Sequence, residues 1–177
     1  MKERKVVLSA LDAEHVQRTC RWVNDPEVTR FTGTIYPVGA SENEAYWREV
    51  RKDRNRAVFG VETRDGTHFG NVELRNIDWV SRNAETVVYI GDPQYRGKGL
   101  GNEMLAALFD FAFLRLNLHR LHSRVFAYNR AAAKMAEWAG FRQEGVMREQ
   151  LFRDGEYHDV IIFGALKSDY ENAPCNK

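Results

Sequence analysis

The chain has 177 residues, of which 44% are hydrophobic and 29% are charged, and its formal net charge is +1 at pH 7. This length suits one domain, and the composition lies far from that of disordered, fibrous or membrane-spanning proteins. Since acidic and basic residues nearly cancel, the overall field gives no reason to expect nucleic acid or a membrane as a main partner. We therefore expect one soluble domain over residues 1–177, with a polar tail over residues 170–177.

The cysteines and the first residues indicate the compartment. Cys20 and Cys175 lie far apart and show neither a disulfide framework nor the spacing of metal ligands. The apolar run that begins at Val6 is interrupted too early for a secretory signal peptide. His119 and His122 are not expected to bind a metal together, because residues three apart on a strand face opposite ways. We expect a cytoplasmic protein without a metal site.

Hydrophobic periodicity and turn residues divide the chain into helices and strands. Helices are predicted at residues 12–23, from Ser41 through Val50, at 99–115 and at 131–139. Ser41 and Glu44 have the spacing of a capping box at the start of the second helix. Strands are predicted at residues 6–9, 57–63, 68–77, 85–91, 121–128, 147–153 and 157–166.

The order of these elements predicts an α/β fold in the α+β sense, with about four helices on the faces of one sheet. Residues 85–91 are almost continuously apolar, which is typical of a central strand covered on both faces. The next strand, 121–128, follows a helix and must therefore run parallel to it through a right-handed crossover. Tight turns at Asp65-Gly66 and Asp154-Gly155 indicate antiparallel hairpins. We expect a mixed, mostly antiparallel sheet of about seven strands.

A glycine-rich segment lies between the predicted central strand and the helix that follows it. Glycines at 97, 99 and 101 allow backbone N–H groups to approach an anion without obstruction by a Cβ atom. Arg96 and Lys98 add formal charge, and the helix N-terminus adds its partial positive charge. These features predict a diphosphate site, and a plain strand-to-helix turn without a ligand is the alternative.

Two common nucleotide loops do not fit this segment. In a dinucleotide fingerprint that starts at Gly97 and Gly99, the third glycine would stand at position 102, which is Asn102. In a P-loop, Asp92 would replace the first glycine and Gly99 would replace the Ser or Thr that binds magnesium.

Residues 94–99 match the acetyl-CoA signature Q/R-x-x-G-x-G/A of the GNAT N-acetyltransferases, and residues 96–101 match it again in overlap. From Phe69 to the end, further stretches resemble the branch of ribosomal-protein (Rim-type) and spermidine N-acetyltransferases. Before Phe69 the similarity is looser and rests on residues 22–26. The later stretches, in the same order and spacing, are Asn76-Ile77-Asp78, Arg82-Asn83-Ala84-Glu85, Leu116-Asn117-Leu118-His119-Arg120, Tyr128-Asn129, Ala139-Gly140-Phe141, Glu144-Gly145 and Gly155-Glu156-Tyr157-His158-Asp159.

The resemblance implies an acetyl-CoA-dependent enzyme whose two central parallel strands splay apart around the pantetheine arm. Backbone groups near Tyr89 and Ile90 would bind that arm, and Asn129 would contact the cofactor from the far side. For Asn129 the residue chemistry equally favours a helix N-cap. The pyrophosphate would lie on the loop that contains Gln94, Arg96, Gly97, Lys98, Gly99, Leu100 and Gly101.

Acetyl transfer needs a neutral amine, whereas a lysine-like amine has a pKa of about 10, so a base or a water path must remove a proton. Glu85 matches a glutamate common in this branch and is the first candidate for the base, with Glu73 and Asp78 in reserve. A backbone N–H on the splayed strand would meet the thioester oxyanion.

The tyrosine that often protonates the leaving thiolate in this family is absent, because Ala136 occupies its position. A serine used by some Rim-type enzymes is replaced by Ala132. Since a thiol has a pKa of about 8.5, a thiolate leaves near neutral pH with little help. We keep Tyr128 as a candidate general acid.

Three functions remain open at this point. The acceptor could be a small amine or amino sugar, it could be a protein N-terminus, or the chain could be a catalytically silent acyl-CoA sensor. A pocket lined by carboxylates would favour polyamines, and an open groove between the Ser41 helix and the last hairpin would favour a peptide. The expected partners are acetyl-CoA and the amine, and a homodimer is the assembly considered.

Overall fold

The computed structural model describes residues 4–176, which form one seven-stranded sheet with helices on both faces. The strands are β1 (Val6–Ser9), β2 (Ala57–Thr63), β3 (His68–Asp78), β4 (Asn83–Ile90), β5 (Arg120–Phe126), β6 (Arg142–Arg153) and β7 (Glu156–Leu166). The helices are α1 (Ala13–Trp22), α2 (Pro26–Thr29), α3 (Ala40–Val50), α4 (Leu100–Phe109), α5 (Arg130–Trp138) and α6 (Lys167–Asn172). The strand order is β1-β2-β3-β4-β5-β7-β6, and β4 with β5 is the parallel pair. The predicted mixed, mostly antiparallel sheet is confirmed.

The parallel pair of β4 and β5 opens after a short stretch of pairing. The last paired residues are Glu85 and His122, although β4 continues to Ile90 and β5 to Phe126. Beyond this point β4 stays bonded to β3 and β5 stays bonded to β7. The predicted splay of the central strands is therefore confirmed, and we call the opening the fork.

Helix α4 covers one face of the sheet at the fork. All of residues 104–109 are buried, which is expected of a helix that is apolar all round. It shares a core with Val72 and Leu74, the β3 residues whose side chains point to this face. The helix continues as a π-helical turn over Asp110–Arg115.

Helices α1 and α3 cover the opposite face. Val16, Trp47 and Val50 form a small apolar cluster that packs on Val58 of β2. At Gly60 a Cβ atom would lie 2.6 Å from the His15 ring, so this glycine lets α1 approach the sheet closely. The two helical layers therefore enclose the fork from both sides.

The end of the described chain is not a polar tail as the sequence had suggested. Tyr170 and Cys175 are each 1% exposed, and Tyr170 stacks on Phe113 at a ring distance of 5.4 Å. The polar residues of this segment lie outside while its few apolar residues fill the end of the core. The segment is part of the folded domain.

The capping box predicted at Ser41 and Glu44 is wrong. Helix α3 begins at Ala40 with Gly39 as its N-cap, so Ser41 lies inside the first turn. A capping box does occur at α1, where the Asp12 carboxylate accepts the His15 backbone N–H and the His15 ring binds the Asp12 N–H. The sequence signal was missed because histidine replaces the usual Glu or Gln.

Candidate active site

A cleft of about 700 Å³ lies at the fork and reaches both helical layers. Side chains alternate along the strands, so the register decides which residues meet which layer. Glu85 and Tyr89 point toward α1 and α3, because their β3 partners are Arg75 and Asn71 on that same face. Thr86 points to the other face, where α4 and α5 lie.

The face on the α5 side is largely apolar. Its lining includes Leu105, Ala132, Met135 and Ala136. The two alanines are the positions where the resemblance had expected hydroxyl groups, so helix α5 supplies no hydroxyl group at either position. The other wall is polar and carries the charged groups of the cleft.

Two hydroxyl groups join β4 and β5 just beyond their last paired residues. The Thr86 hydroxyl donates to the His122 carbonyl at 3.3 Å, and the Ser123 hydroxyl donates to the Thr86 carbonyl at 3.4 Å. These long side-chain bonds replace the ladder where the strands part. Ser123 and Thr86 both line the cleft, and sequence reasoning missed them because their pairing depends on the strand register.

The glycine loop has the backbone geometry of an anion site. Gly97 and Gly99 have φ of 71° and 75°, and a Cβ atom on either would meet nothing within 4 Å. Gly99 is the N-cap of α4, so the first backbone N–H groups of that helix face the loop. The glycines are therefore needed for their left-handed conformation, and the space beside them is open.

Neighbouring side chains fix this loop against the end of β4. The Arg96 guanidinium donates to the carbonyls of Ile90 and Gly91 at 3.3 and 3.2 Å. The Asp92 carboxylate accepts the Gln94 backbone N–H at 2.9 Å. The positive charge of Arg96 therefore lies beside the loop. In this structure its hydrogen bonds are made to the backbone at the end of β4.

Glu85 stands at the point where the fork opens. Its β3 neighbour is Arg75, its β5 neighbour is His122, and its side chain lines the cleft. Among residues 4–176 it has no hydrogen-bond or ion-pair partner. Burial lowers the pKa of the adjacent His122, although the Glu85 charge acts against this shift. A half-buried carboxylate is thus available at the fork.

The family model described as an acetyltransferase (GNAT) domain matches residues 5–142. The chain belongs to this GNAT family. The match includes the fork, the glycine loop and α5, so the geometry above is that of an N-acetyltransferase. The predicted family and the predicted acetyl-CoA co-substrate are confirmed.

Relatives of this GNAT chain include the spermidine N-acetyltransferases and a putative ribosomal N-acetyltransferase of Bacillus subtilis, 29% identical over 93% of this chain and 86% of that protein. The spermidine N(1)-acetyltransferase of Escherichia coli K12 is 31% identical over 166 residues, covering 93% of this chain and 88% of that protein. The Vibrio cholerae spermidine N-acetyltransferase in complex with CoA and spermine has a TM-score of 0.88 at 28% identity, covering 94% and 98% of the two chains. A dodecameric structure of the Vibrio cholerae enzyme has a TM-score of 0.80 at 28% identity, covering 95% and 96%. The predicted branch is confirmed.

The two reserve bases of this GNAT chain are already engaged. Glu73 is 4% exposed, and its carboxylate accepts from Arg56 and Arg75, each with a nitrogen to oxygen distance below 2.8 Å. Asp78 accepts the backbone N–H groups of Val80 and Ser81, and these bonds, that of Ser81 first, lower its pKa. Glu85 is the candidate base that the structure leaves open to a substrate.

Tyr128 lies outside the lining of the cleft. Its hydroxyl donates to the Arg30 carbonyl at 2.5 Å, and its ring packs on His158 at 4.9 Å. Burial raises the pKa of this hydroxyl. Its role as general acid stays a prediction that the geometry does not support.

Asn129 is the helix N-cap that its residue chemistry favoured. Its side chain accepts the Ala132 backbone N–H at 3.1 Å as the N-cap of α5, and the same residue lines the cleft. Its amide nitrogen remains for a ligand. The contact with the cofactor stays a prediction.

A buried polar network supports Tyr89 from behind the cleft. The Asn71 amide donates to the Tyr89 hydroxyl at 2.7 Å, and its oxygen binds His68 Nε2 at 2.8 Å. Burial raises the pKa of Tyr89 to about 12, so its hydroxyl keeps its proton at neutral pH. The network fixes the end of β4 on which the predicted pantetheine contacts lie.

His68 makes folding stability depend on pH. Burial lowers its pKa to about 4, so the native state keeps it neutral while the unfolded chain binds a proton below about pH 6.5. Stability is therefore present above pH 6.5 and is lost as the pH falls toward 4. We expect a loss of roughly 2 kcal/mol between pH 7 and pH 5 from this group. Urea unfolding of the wild type and of His68→Gln measures it, and an equal loss in both proteins would contradict the assignment.

The left-handed conformation of Gly99 allows a test of the predicted acetyl-CoA site. Gly99→Ala is expected to weaken acetyl-CoA binding by about tenfold, because a φ of 75° costs an L-residue roughly 1–2 kcal/mol and the free loop can relax out of the binding conformation to avoid that cost. Gly145→Ala is the matched control, since its Cβ atom also meets open space and its φ is ordinary. Calorimetric titration with acetyl-CoA measures both. Equal affinities in the two variants would remove the loop conformation from cofactor binding.

Proposed function

We propose that this chain transfers the acetyl group of acetyl-CoA to the primary amine of a small molecule, with Glu85 as the base. The observation that carries the proposal is the position of Glu85, which lies without a partner among residues 4–176 at the opening of the fork. A carboxylate there can take a proton from an amine that approaches from the α1 and α3 side.

Two parts of the cleft act in the proposed reaction: the Glu85 carboxylate and the free backbone edge of β4. After Glu85 accepts a proton from the acceptor ammonium, the amine nitrogen attacks the thioester carbon, the carbon–sulfur bond breaks, and CoA leaves as its thiolate. The second proton that the nitrogen loses as the amide forms goes to this thiolate, so the products are the amide and the CoA thiol. Past Glu85, the edge of β4 that faces β5 has no strand partner, so its backbone N–H groups can stabilise the oxyanion. Preorganised donors of this kind contribute about 100-fold or more to rates.

The shape of the cleft supports a small acceptor over a peptide. Helix α3 and the last hairpin both line the cleft, through Tyr46 and Leu151, as the peptide hypothesis required. Loop residues Thr32 and Thr34 lie in the same lining, and the Arg153 guanidinium binds their carbonyls at 3.1 and 3.3 Å. These two hydrogen bonds hold the loop in the lining of the cleft, and a loop held there leaves less room for an extended peptide than an open groove would. The relatives named for spermidine acetylation also support a small amine.

Two further expectations belong with the proposal. Within residues 4–176 no helix is both long and apolar enough to cross a membrane, and a cytoplasmic location stays a prediction. The dodecameric Vibrio cholerae relative supports self-association, of which the predicted homodimer is one form.

The proposal is tested by thiol release from acetyl-CoA in the presence of polyamines, amino sugars, amino acids and N-terminal peptides. We expect release that depends on a small amine and that saturates with it. If the protein binds acetyl-CoA and no acceptor gives turnover, the silent-sensor alternative replaces the enzyme.

A further inference from the structure

The charges on the polar wall of the cleft do not form the all-carboxylate surface that a polyamine would favour. Five charged residues line it, namely Glu42, Glu73, Arg75, Glu85 and Arg124. The Glu73 charge is already exceeded by the two guanidinium groups bound to it, those of Arg56 and Arg75. The Arg56–Glu73–Arg75 triad therefore carries a net positive charge, and Glu73 and Arg75 are its two members that line the cleft.

Arg124 adds a second cation, on the other side of the fork. It lies two residues beyond His122 on β5, so its side chain is on the same face as Glu85. It is exposed, it lines the cleft, and it has no hydrogen-bond or ion-pair partner within the described part of the chain. Same-face neighbours on a strand are roughly 7 Å apart, so Arg124 lies one such step beyond His122, the β5 partner of Glu85.

Arg124 and Arg75 thus flank the proposed base from two sides. Arg75 stands opposite Glu85 on β3 and lines the cleft, and its bond to Glu73 is made by Nε. A guanidinium binds carboxylate and phosphate oxygens in pairs, and such charge-assisted bonds are among the strong ones in proteins. A carboxylate with two guanidinium groups around it is complementary to a molecule that carries both an ammonium and an oxyanion.

We propose that the acceptor is an amine that also carries an oxyanion, either a carboxylate or a phosphate, within a few bonds of the reacting nitrogen. The amine binds at Glu85 and the oxyanion binds at Arg124, with Arg75 as the second cation. This inference rests on the proposed acetyl transfer and narrows its substrate class.

The test uses acceptors that differ in one group. γ-Aminobutyrate, γ-aminobutanamide and putrescine present an anion, a neutral amide and a cation on the same four-carbon chain, and aminopropylphosphonate stands in for a phosphate. We expect kcat/KM to be about 10- to 100-fold higher for an anionic acceptor than for the amide. Preference for the phosphonate over the carboxylate would identify a phosphate as the oxyanion, and the reverse would identify a carboxylate.

Two variants test whether Arg124 causes the preference for an anionic acceptor. In Arg124→Gln the ratio of kcat/KM between the anion and the amide is expected to fall to about 1, mainly through KM. Arg148→Gln, an exposed arginine on β6 outside the cleft, keeps the wild-type ratio. A wild-type preference for putrescine or the amide would overturn the inference and leave acetyl transfer standing. Acetyl-CoA binding without turnover on any acceptor would overturn the proposed function as well.

Discussion

Glu85→Gln is expected to lower kcat/KM for the acceptor by roughly 100-fold or more at pH 7, with the affinity for acetyl-CoA unchanged. The reason is that the amide cannot accept a proton, and general base catalysis is worth about 100- to 10,000-fold. The fork geometry supports this effect because Glu73 and Asp78 have their carboxylate oxygens bound elsewhere. No other unpaired carboxylate among the described residues lies at the end of the β4–β5 pairing.

The pH profile of Glu85→Gln distinguishes the loss of the base from a disturbance of the structure of the cleft. As the pH rises toward the amine pKa of about 8 to 10, the acceptor loses its own proton, so the rate of Glu85→Gln should climb toward that of the wild type. Glu137→Gln, an exposed residue of α5, is the control and should keep wild-type kinetics. A Glu85→Gln rate within about threefold of the wild type at pH 7 would remove Glu85 from the mechanism.

Asp110→Ala is expected to cause the largest loss of stability, about 3–5 kcal/mol, because it leaves a buried charge without its partner. The Asp110 carboxylate accepts from Arg4 at 3.0 and 3.2 Å and also accepts the Tyr170 hydroxyl. Both members of the Asp110–Arg4 pair are 10% exposed at the side chain. Thermal unfolding should shift downward by about 10 °C for a chain of this size.

Two variants check that the effect belongs to this network. Glu27→Ala breaks an exposed pair with Arg30, at 3.8 Å, and should change stability by less than about 0.5 kcal/mol. Replacing the whole network by apolar residues, with Arg4→Met, Asp110→Leu and Tyr170→Phe together, should cost less than Asp110→Ala alone. A loss below about 1 kcal/mol in Asp110→Ala would show that the network does not hold the chain end in place.

Local signals were enough to predict most of the fold. Strands β1 and β2 lie at the predicted residues because a turn or a charge run limits each one. Strand β6 begins at Arg142, five residues before the predicted start, because its first residues are polar and include Gly145. That strand is at the edge of the sheet and largely exposed, so hydrophobic alternation could not reveal it. Helix α6 was missed because Tyr170 is its one buried residue, and one apolar residue cannot show the periodicity of a helix.

The candidate site residues that belong to a local motif could be predicted from the sequence. The contacts between residues far apart in the chain could not. The glycine loop and Glu85 were predicted from the sequence, and the structure places the loop directly before α4 and Glu85 at the end of the β4–β5 pairing. The bonding of Glu73 by Arg56 depends on the register of β2 and β3, which no local pattern contains. Likewise, the Tyr128 hydroxyl is bound by a backbone carbonyl 98 residues away in the chain. Long-range pairing decided which polar groups remain available for chemistry.

The most direct test of acetyl transfer at the fork is carbon NMR with acetyl-CoA labelled at the thioester carbonyl. The sample contains the wild-type protein and an equimolar mixture of γ-aminobutyrate, γ-aminobutanamide and putrescine, so that turnover does not depend on the charge of the acceptor. Glu85→Gln is measured alongside at pH 7. We predict that the thioester signal converts into an amide carbonyl signal in the wild type, at a rate at least about 100-fold above that of the variant. A thioester signal that persists, or that converts equally fast in both proteins, would contradict the proposed function.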